Sequence, residues 1–188
     1  VMSYCDMAVI DAKSDVIATS LRQIRPRLEY LSGSNLMEAY FFRNCTAGCS
    51  MLIRSDMAKQ AIPFPKQTVA DHWLAIWAAH RGTISFVEQI LMQYRQHLHN
   101  QTGILTGVFD KASYRAKRLL PLEERLRCLS ERTEVAQSLQ DFVRARLDNR
   151  ISGIWKGRKF SRKEAEFEIA MNLMPDKVFQ RLISRIRR

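Results

Sequence analysis

Residues 67–103, QTVADHWLAIWAAHRGTISFVEQILMQYRQHLHNQTG, concentrate the side chains that move protons and hold phosphates. Asp71 heads an apolar run at helical spacing. Its carboxylate would lie at a helix N-terminus, where exposed backbone N–H groups and the helix dipole favour the ionised form. Such an acid can serve as a general base, or it can be a plain helix cap, because Asp is a preferred capping residue. Further on, Arg95 and His97 alternate, so on an extended segment they face the same side. Arg beside His can clamp a phosphate or pyrophosphate; an ordinary surface pair is the alternative.

These groups must be positioned by the elements around them. Residues 4–19 read as a β-hairpin about the polar insert 11–15, and residues 21–32 have helical spacing interrupted by Pro26. Residues 36–43 read as a helix. Asn44 to Ser50 is a small, polar loop able to approach a ligand closely. A short strand at 51–54 and a brief helix at 55–60 follow. Residues 71–80 form a helix apolar nearly all round (Trp73, Leu74, Ile76, Trp77), hence buried, with Gly82 as a left-handed cap. Two short strands are expected at 84–87 and 90–95. The spacing therefore predicts an α/β unit over residues 1–106.

Residues 107–188 differ. From 112 to about 155 the leucines and other apolar residues recur at helical spacing, with Pro121 in the first turn of a second helix. Ser161 to Glu164 is a capping-box pattern, and a last helix follows Pro175. Charge divides in the same way. Residues 1–109 carry 10 Lys and Arg against 8 Asp and Glu, whereas residues 110–188 carry 20 against 11. A basic tail suits an anionic partner: membrane headgroups, nucleic acid or an acidic protein surface.

The 188 residues suffice for one good domain, or one with an appendage. No apolar stretch approaches the ~20 residues of a membrane span, and no basic segment followed by an apolar one marks secretion. The chain starts at Val1 with a strand pattern already under way, which suggests a piece of a longer protein or an expression remnant ahead of Met2. The cysteines 5, 45, 49 and 128 form no CxxC pair. Cys45 and Cys49 on one helix face, with His72 or His97, would make a zinc site; metal spacing is usually tighter, and free thiols in a reducing cytoplasm are the preferred reading.

The order of these pieces resembles the C-terminal half of bacterial family-2 glycosyltransferases of the rhamnosyltransferase-like branch. The matching residues are Tyr4-Cys5-Asp6, Ile10-Asp11, Val16-Ile17 and Ser20, then Asn44 to Ser50, Asp71 to Ala75, Gly82, and Tyr94-Arg95-Gln96-His97 with Asn100 and Gly103. The likeness covers residues 3–105. It implies a GT-A type α/β domain that transfers sugar from a nucleotide-diphosphate donor to a glycan or lipid-linked acceptor, by inversion. Asp71 would be the general base, Arg95 and His97 would bind the donor diphosphate, and Asn44, Thr46, Gly48 and Trp73 would line the acceptor side. Ala70 stands where many relatives carry His or Glu, and Cys5 where Ser is usual. The nucleotide-binding half, with the acidic DxD cluster that holds Mg2+ or Mn2+, would precede residue 1; Asp6 and Asp11 form no DxD. The chain alone is therefore expected to bind no metal and to be inactive.

The resemblance implies a cytoplasmic location, with peripheral contact at the inner membrane. Residues 175–188 form a basic amphipathic helix that could make this contact or simply pack on neighbouring helices. The rival readings are a nucleic-acid-binding module and a helical oligomerisation scaffold. No nucleic-acid motif, and no interleaving of aromatic with basic side chains, is read for the former.

Overall fold

The computed structural model describes residues 1–26, 28–96 and 107–186. The chain divides into two compact units, Val1–Gln101 and Thr102–Arg188. The first mixes strands and helices; the second is helical.

The first unit is built on β1 (Met2–Ile10). β4 (Ile84–Arg95) runs parallel to it along its whole length, from Met2↔Ile84 to Ile10↔Arg95. The opposite edge is shared by β2 (Val16–Ala18) at one end and β3 (Met51–Ile53) at the other, both antiparallel. Seven of the nine β1 residues are buried, which is why its sequence runs apolar instead of alternating. β4 is one strand where the sequence suggests two. Its register slips on either side of Asp6, through the pairs Cys5↔Val87, Asp6↔Ile90 and Met7↔Met92. The polar break at Glu88-Gln89 is thus an irregularity within one strand.

Asp6 is buried at that irregularity. Its carboxylate accepts from Tyr30 Oη (2.5 Å), Ser20 Oγ (2.6 Å), Met7 N (2.7 Å) and Leu21 N (3.3 Å). Burial alone would raise its pKa; the two hydroxyls and two amides outweigh burial and hold it below the usual carboxylate value. Ser20 also caps α1 (Leu21–Ile24), accepting from Arg22 N. This helix is a single turn, much shorter than the 21–32 span expected. The residue before Pro26 is barred from helical geometry by the proline ring, and Arg25 lies at φ −126°, ψ 69°. Residues 28–33 are instead tied to the sheet. Leu31 O accepts from Tyr4 and Tyr40, Gly33 bridges Ile84, and Tyr30 stacks on Phe86 with 4.3 Å between ring centres.

The helices α2 (Met37–Phe42), α3 (Ser55–Gln60) and α4 (Ala70–Arg81) complete the unit. α4 is as buried as its sequence predicts: His72, Trp73 and Ala75 to Ala79 all lie inside, and His72 Nε2 donates to Tyr40 O at 2.6 Å. Gly82 is not a left-handed cap; its φ of 165° is extended backbone. Its small size matters because an added Cβ would lie 3.0 Å from Val1 Cγ1.

The second unit comprises α5 (Lys111–Tyr114), a π-helical stretch Arg115–Leu119, α6 (Leu120–Ser130), α7 (Gln137–Leu147), α8 (Ile151–Lys156), α9 (Arg162–Leu173) and α10 (Asp176–Ile186). Pro121 falls in the first turn of α6, as expected. Its missing N–H and its ring disfavour regular α geometry in the preceding turn, where the π stretch lies. The capping box forms between Asp110 and Ser113 on α5, not at Ser161, which caps nothing and is buried. The apolar face of α10 packs within this unit: Phe179 and Ile183 are buried, and Phe179 meets Tyr114 and Phe167. Among the described residues no helix is long and apolar enough to cross a membrane.

The core of this unit contains an ion pair. Arg146 and Glu168 are 2% and 1% exposed and join bidentately at 2.9 and 2.6 Å. Tyr114 Oη donates to Glu168 at 2.8 Å, and Glu164 adds a second carboxylate to Arg146. Removing Glu168 leaves the buried guanidinium the partly exposed Glu164 carboxylate as its ion-pair partner among the described residues. Glu168→Gln is expected to lower stability by about 3–5 kcal/mol, read by urea unfolding under circular dichroism; a loss below about 1 kcal/mol would mean the network is replaceable.

Asp6 gives a second prediction. A depressed folded pKa contributes stability that is complete above the ordinary value of about 3.9 and is lost as pH falls through the folded value. Asp6→Asn should therefore destabilise the first unit at neutral pH and flatten the acid limb of its stability curve. An unchanged acid limb in the variant would remove Asp6 as its source.

Candidate functional site

The loop that follows α2 meets the first turn of α4. Asp71 is half-buried and lies one residue inside the helix, not at the cap position, which Val69 occupies without a side-chain bond. Its oxygens point to the loop. Asn44 Nδ2 donates to Oδ1 at 3.1 Å, and Gly48 N donates to Oδ2 at 3.1 Å. Asp71 is thus a cross-link between two segments, and the plain-cap alternative is set aside.

Local chemistry shapes the loop. Asn44 Oδ1 accepts from Thr46 N (3.2 Å) and Thr46 Oγ1 (3.0 Å), a turn of the kind Asn makes with the residue two positions on. This fixes the amide so that its nitrogen faces Asp71. Gly48 to Ser50 then form one 3-10 turn. A Cβ on Gly48 would sit 3.7 Å from Asp71 Cβ, an ordinary contact, so the closeness is comfortable. Asn44, Gly48 and Cys49 are exposed, which leaves the carboxylate reachable from solvent.

The remaining residues picked from the sequence are placed as follows. Thr46 is buried, with its hydroxyl turned to Asn44. Trp73 is fully buried, its indole N–H donating to Ala61 O at 2.8 Å, so it is part of the core and offers an acceptor no surface. Arg95 donates to Asp11 O (2.7 Å) and Ser14 Oγ (2.9 Å), fastening the end of β4 to the β1–β2 turn. His97, Asn100 and Gly103 lie outside the described residues. The loop reaches β1 at Met7, where Cys49 Sγ lies 3.6 Å from Met7 Sδ, and Arg95 pairs with Ile10. Three strand residues separate those points, about 10 Å.

Cys49, considered in the sequence only as half of a zinc pair, is a neighbour of Asp71. Partial desolvation of its sulfur, with the Asp71 charge adding to it, pushes the thiol pKa up. Cys45 does not share a helix face with it: Cys45 is buried in the loop near Tyr4 Oη, and His72 faces Tyr40. All four cysteines are free. Among the described residues no group of three or more His, Cys, Asp or Glu could hold a metal ion. The groups nearest Asp71 are N–H donors, a surrounding that suits an anion and does not fit a cation.

A carboxylate oriented by two N–H groups and open to solvent can accept a proton from a hydroxyl brought beside it. The geometry is testable by exchange. Asn44→Asp puts two carboxylates at hydrogen-bond distance, so one should titrate above the ordinary range by carbon-13 NMR, with a drop in melting temperature. Adding Asp71→Asn restores a donor–acceptor pair in reverse, and the double variant should regain most of the loss. No regain would refute the contact.

No family model matches the sequence, and neither a curated protein nor a solved structure matches it.

Proposed function

We propose that the first unit is the acceptor-side half of a nucleotide-sugar glycosyltransferase of the GT-A type, with Asp71 as general base. The observation that carries this reading is the Asp71 carboxylate held by Asn44 and Gly48 in an accessible setting. An acceptor hydroxyl beside it would give its proton to Asp71 as its oxygen attacks the anomeric carbon. The bond from that carbon to the diphosphate breaks in the same step, with inversion, and the nucleoside diphosphate departs.

Acceptor contacts fall to Asn44 and Gly48, the two exposed residues of the four expected on the acceptor side. Arg95 and His97 would face the leaving diphosphate, where cationic donors lower the barrier as charge builds. Arg95 would then act from the rim of the β1–β2 turn. The nucleotide and its divalent cation would be held by a separate half containing the acidic cluster. Leu52, Ile90 and Leu91 support this: each is half or more exposed on the sheet, apolar surface that such a half would bury.

The chain alone is expected to give no transfer from uridine- or thymidine-diphosphate sugars. Joined to the sequence encoded upstream of Val1, it should transfer sugar, and Asp71→Asn should lower kcat by about 10²–10⁴-fold with an unchanged circular dichroism spectrum. Robust turnover by the chain alone, or an Asp71→Asn variant with undiminished kcat, would overturn the reading.

A further inference from the structure

The second unit carries a surface that the transferase reading does not use. Between Arg150 and Lys163 the sequence holds six Lys and Arg and no Asp or Glu. All six are exposed. Arg150 pairs with Asp148 and Arg162 with Glu166, while Arg158 lies over the Trp155 ring at 4.1 Å. Lys156, Lys159 and Lys163 make no ion pair among the described residues.

Two exposed apolar side chains stand among these cations. Ile151 and Trp155 are one turn apart on α8, hence on one face, and are 38% and 52% exposed. The segment is pinned from below. Phe160 is buried and stacks on Phe142, and a Cβ added to Gly157 would lie 2.3 Å from the Phe142 ring. The backbone is fixed, and the indole and the lysines are left outside. The interleaving of aromatic and basic residues that the sequence pattern did not show becomes visible once burial separates Phe160 from Trp155.

We infer that this face of the second unit, residues 150–163, docks on an anionic lipid bilayer surface. A polyanion such as RNA would use the cations but gains nothing from Ile151, and Arg158 already lies over one face of Trp155, which leaves less of the indole for a base to stack on. A bilayer interface uses both features: indole and isoleucine enter the headgroup boundary, and flexible lysines reach the phosphates. Residues 175–188, the other candidate for such a contact, spend Phe179 and Ile183 of α10 on packing within their own unit. The inference does not rest on the transferase reading.

The test is co-sedimentation with vesicles of phosphatidylcholine alone and of phosphatidylcholine mixed with phosphatidylglycerol. The protein should pellet with the mixed vesicles only, and less at high salt. Trp73 and Trp77 are already buried, so a blue shift of emission on binding reports Trp155 and should vanish in Trp155→Ala. Replacing Lys156, Lys159 and Lys163 together by Glu should lower partitioning by about tenfold or more. The same reversal at Lys177, Arg181 and Arg185 should have a smaller effect. The inference falls if neutral vesicles bind equally, if the first triple variant binds like the unaltered chain, if only the second abolishes binding, or if polyuridine binds more tightly than the mixed vesicles.

Discussion

A buried carboxylate is unfavourable unless its oxygens are filled by donors, and Asp6 is filled by four. The donors come from three places in the chain: β1 itself, the start of α1, and Tyr30 in the segment that crosses back to the sheet. One side chain thus fixes where β4 changes register, where α1 begins and how residues 28–33 lie. The Tyr30 ring in turn stacks on Phe86 of β4 and takes the Arg22 guanidinium at 4.6 Å. With β1 held, β3 and the loop before it have a fixed base, and that loop is what orients Asp71. The site is a consequence of strand geometry two steps removed from it.

The two units solve burial differently. The first covers a central strand on both faces and gathers its polar bonds at Asp6 and Asp71. The second packs amphipathic helices and places an Arg–Glu pair in their midst, with a tyrosine hydroxyl completing the carboxylate. Its excess of cations is then left for the surface, where residues 150–163 collect them without a single acid.

Apolar patterning was enough to find most elements, because α7 buries a face that its spacing announces, while α4 and β1 run mostly apolar and are buried on nearly all sides. The failures have local causes. Glu88-Gln89 looked like the end of a strand because a slip in register places polar residues where a break would. Residues 21–32 looked helical because apolar spacing survives a proline that the backbone does not. Ser161 had the pattern of a cap, yet Asp110 with Ser113 formed one, since capping depends on where the chain turns. Asp71 was legible as an acid in the first turn of a helix, where a cap and a free carboxylate look alike in sequence. Its partners were half legible: Asn44 and Thr46, two apart, are a familiar turn pair, but nothing in the spacing says that the amide faces Asp71. Trp73 shows the opposite limit, an aromatic beside the acid whose helix phase turns it inward.

The parallel pairing of β1 with β4 has a consequence for biosynthesis. The last residue of β1 and the first of β4 are separated by the whole of residues 11–83. At a translation rate of about 5–20 residues per second, the ribosome needs roughly 4–15 s to supply that intervening chain. Through that interval a nine-residue, mostly apolar strand has only the short strands β2 and β3 as partners and one long edge uncovered. Nascent β1 is therefore a segment that a chaperone could shelter, and a slow-translating stretch of codons before residue 84 would lengthen its exposure.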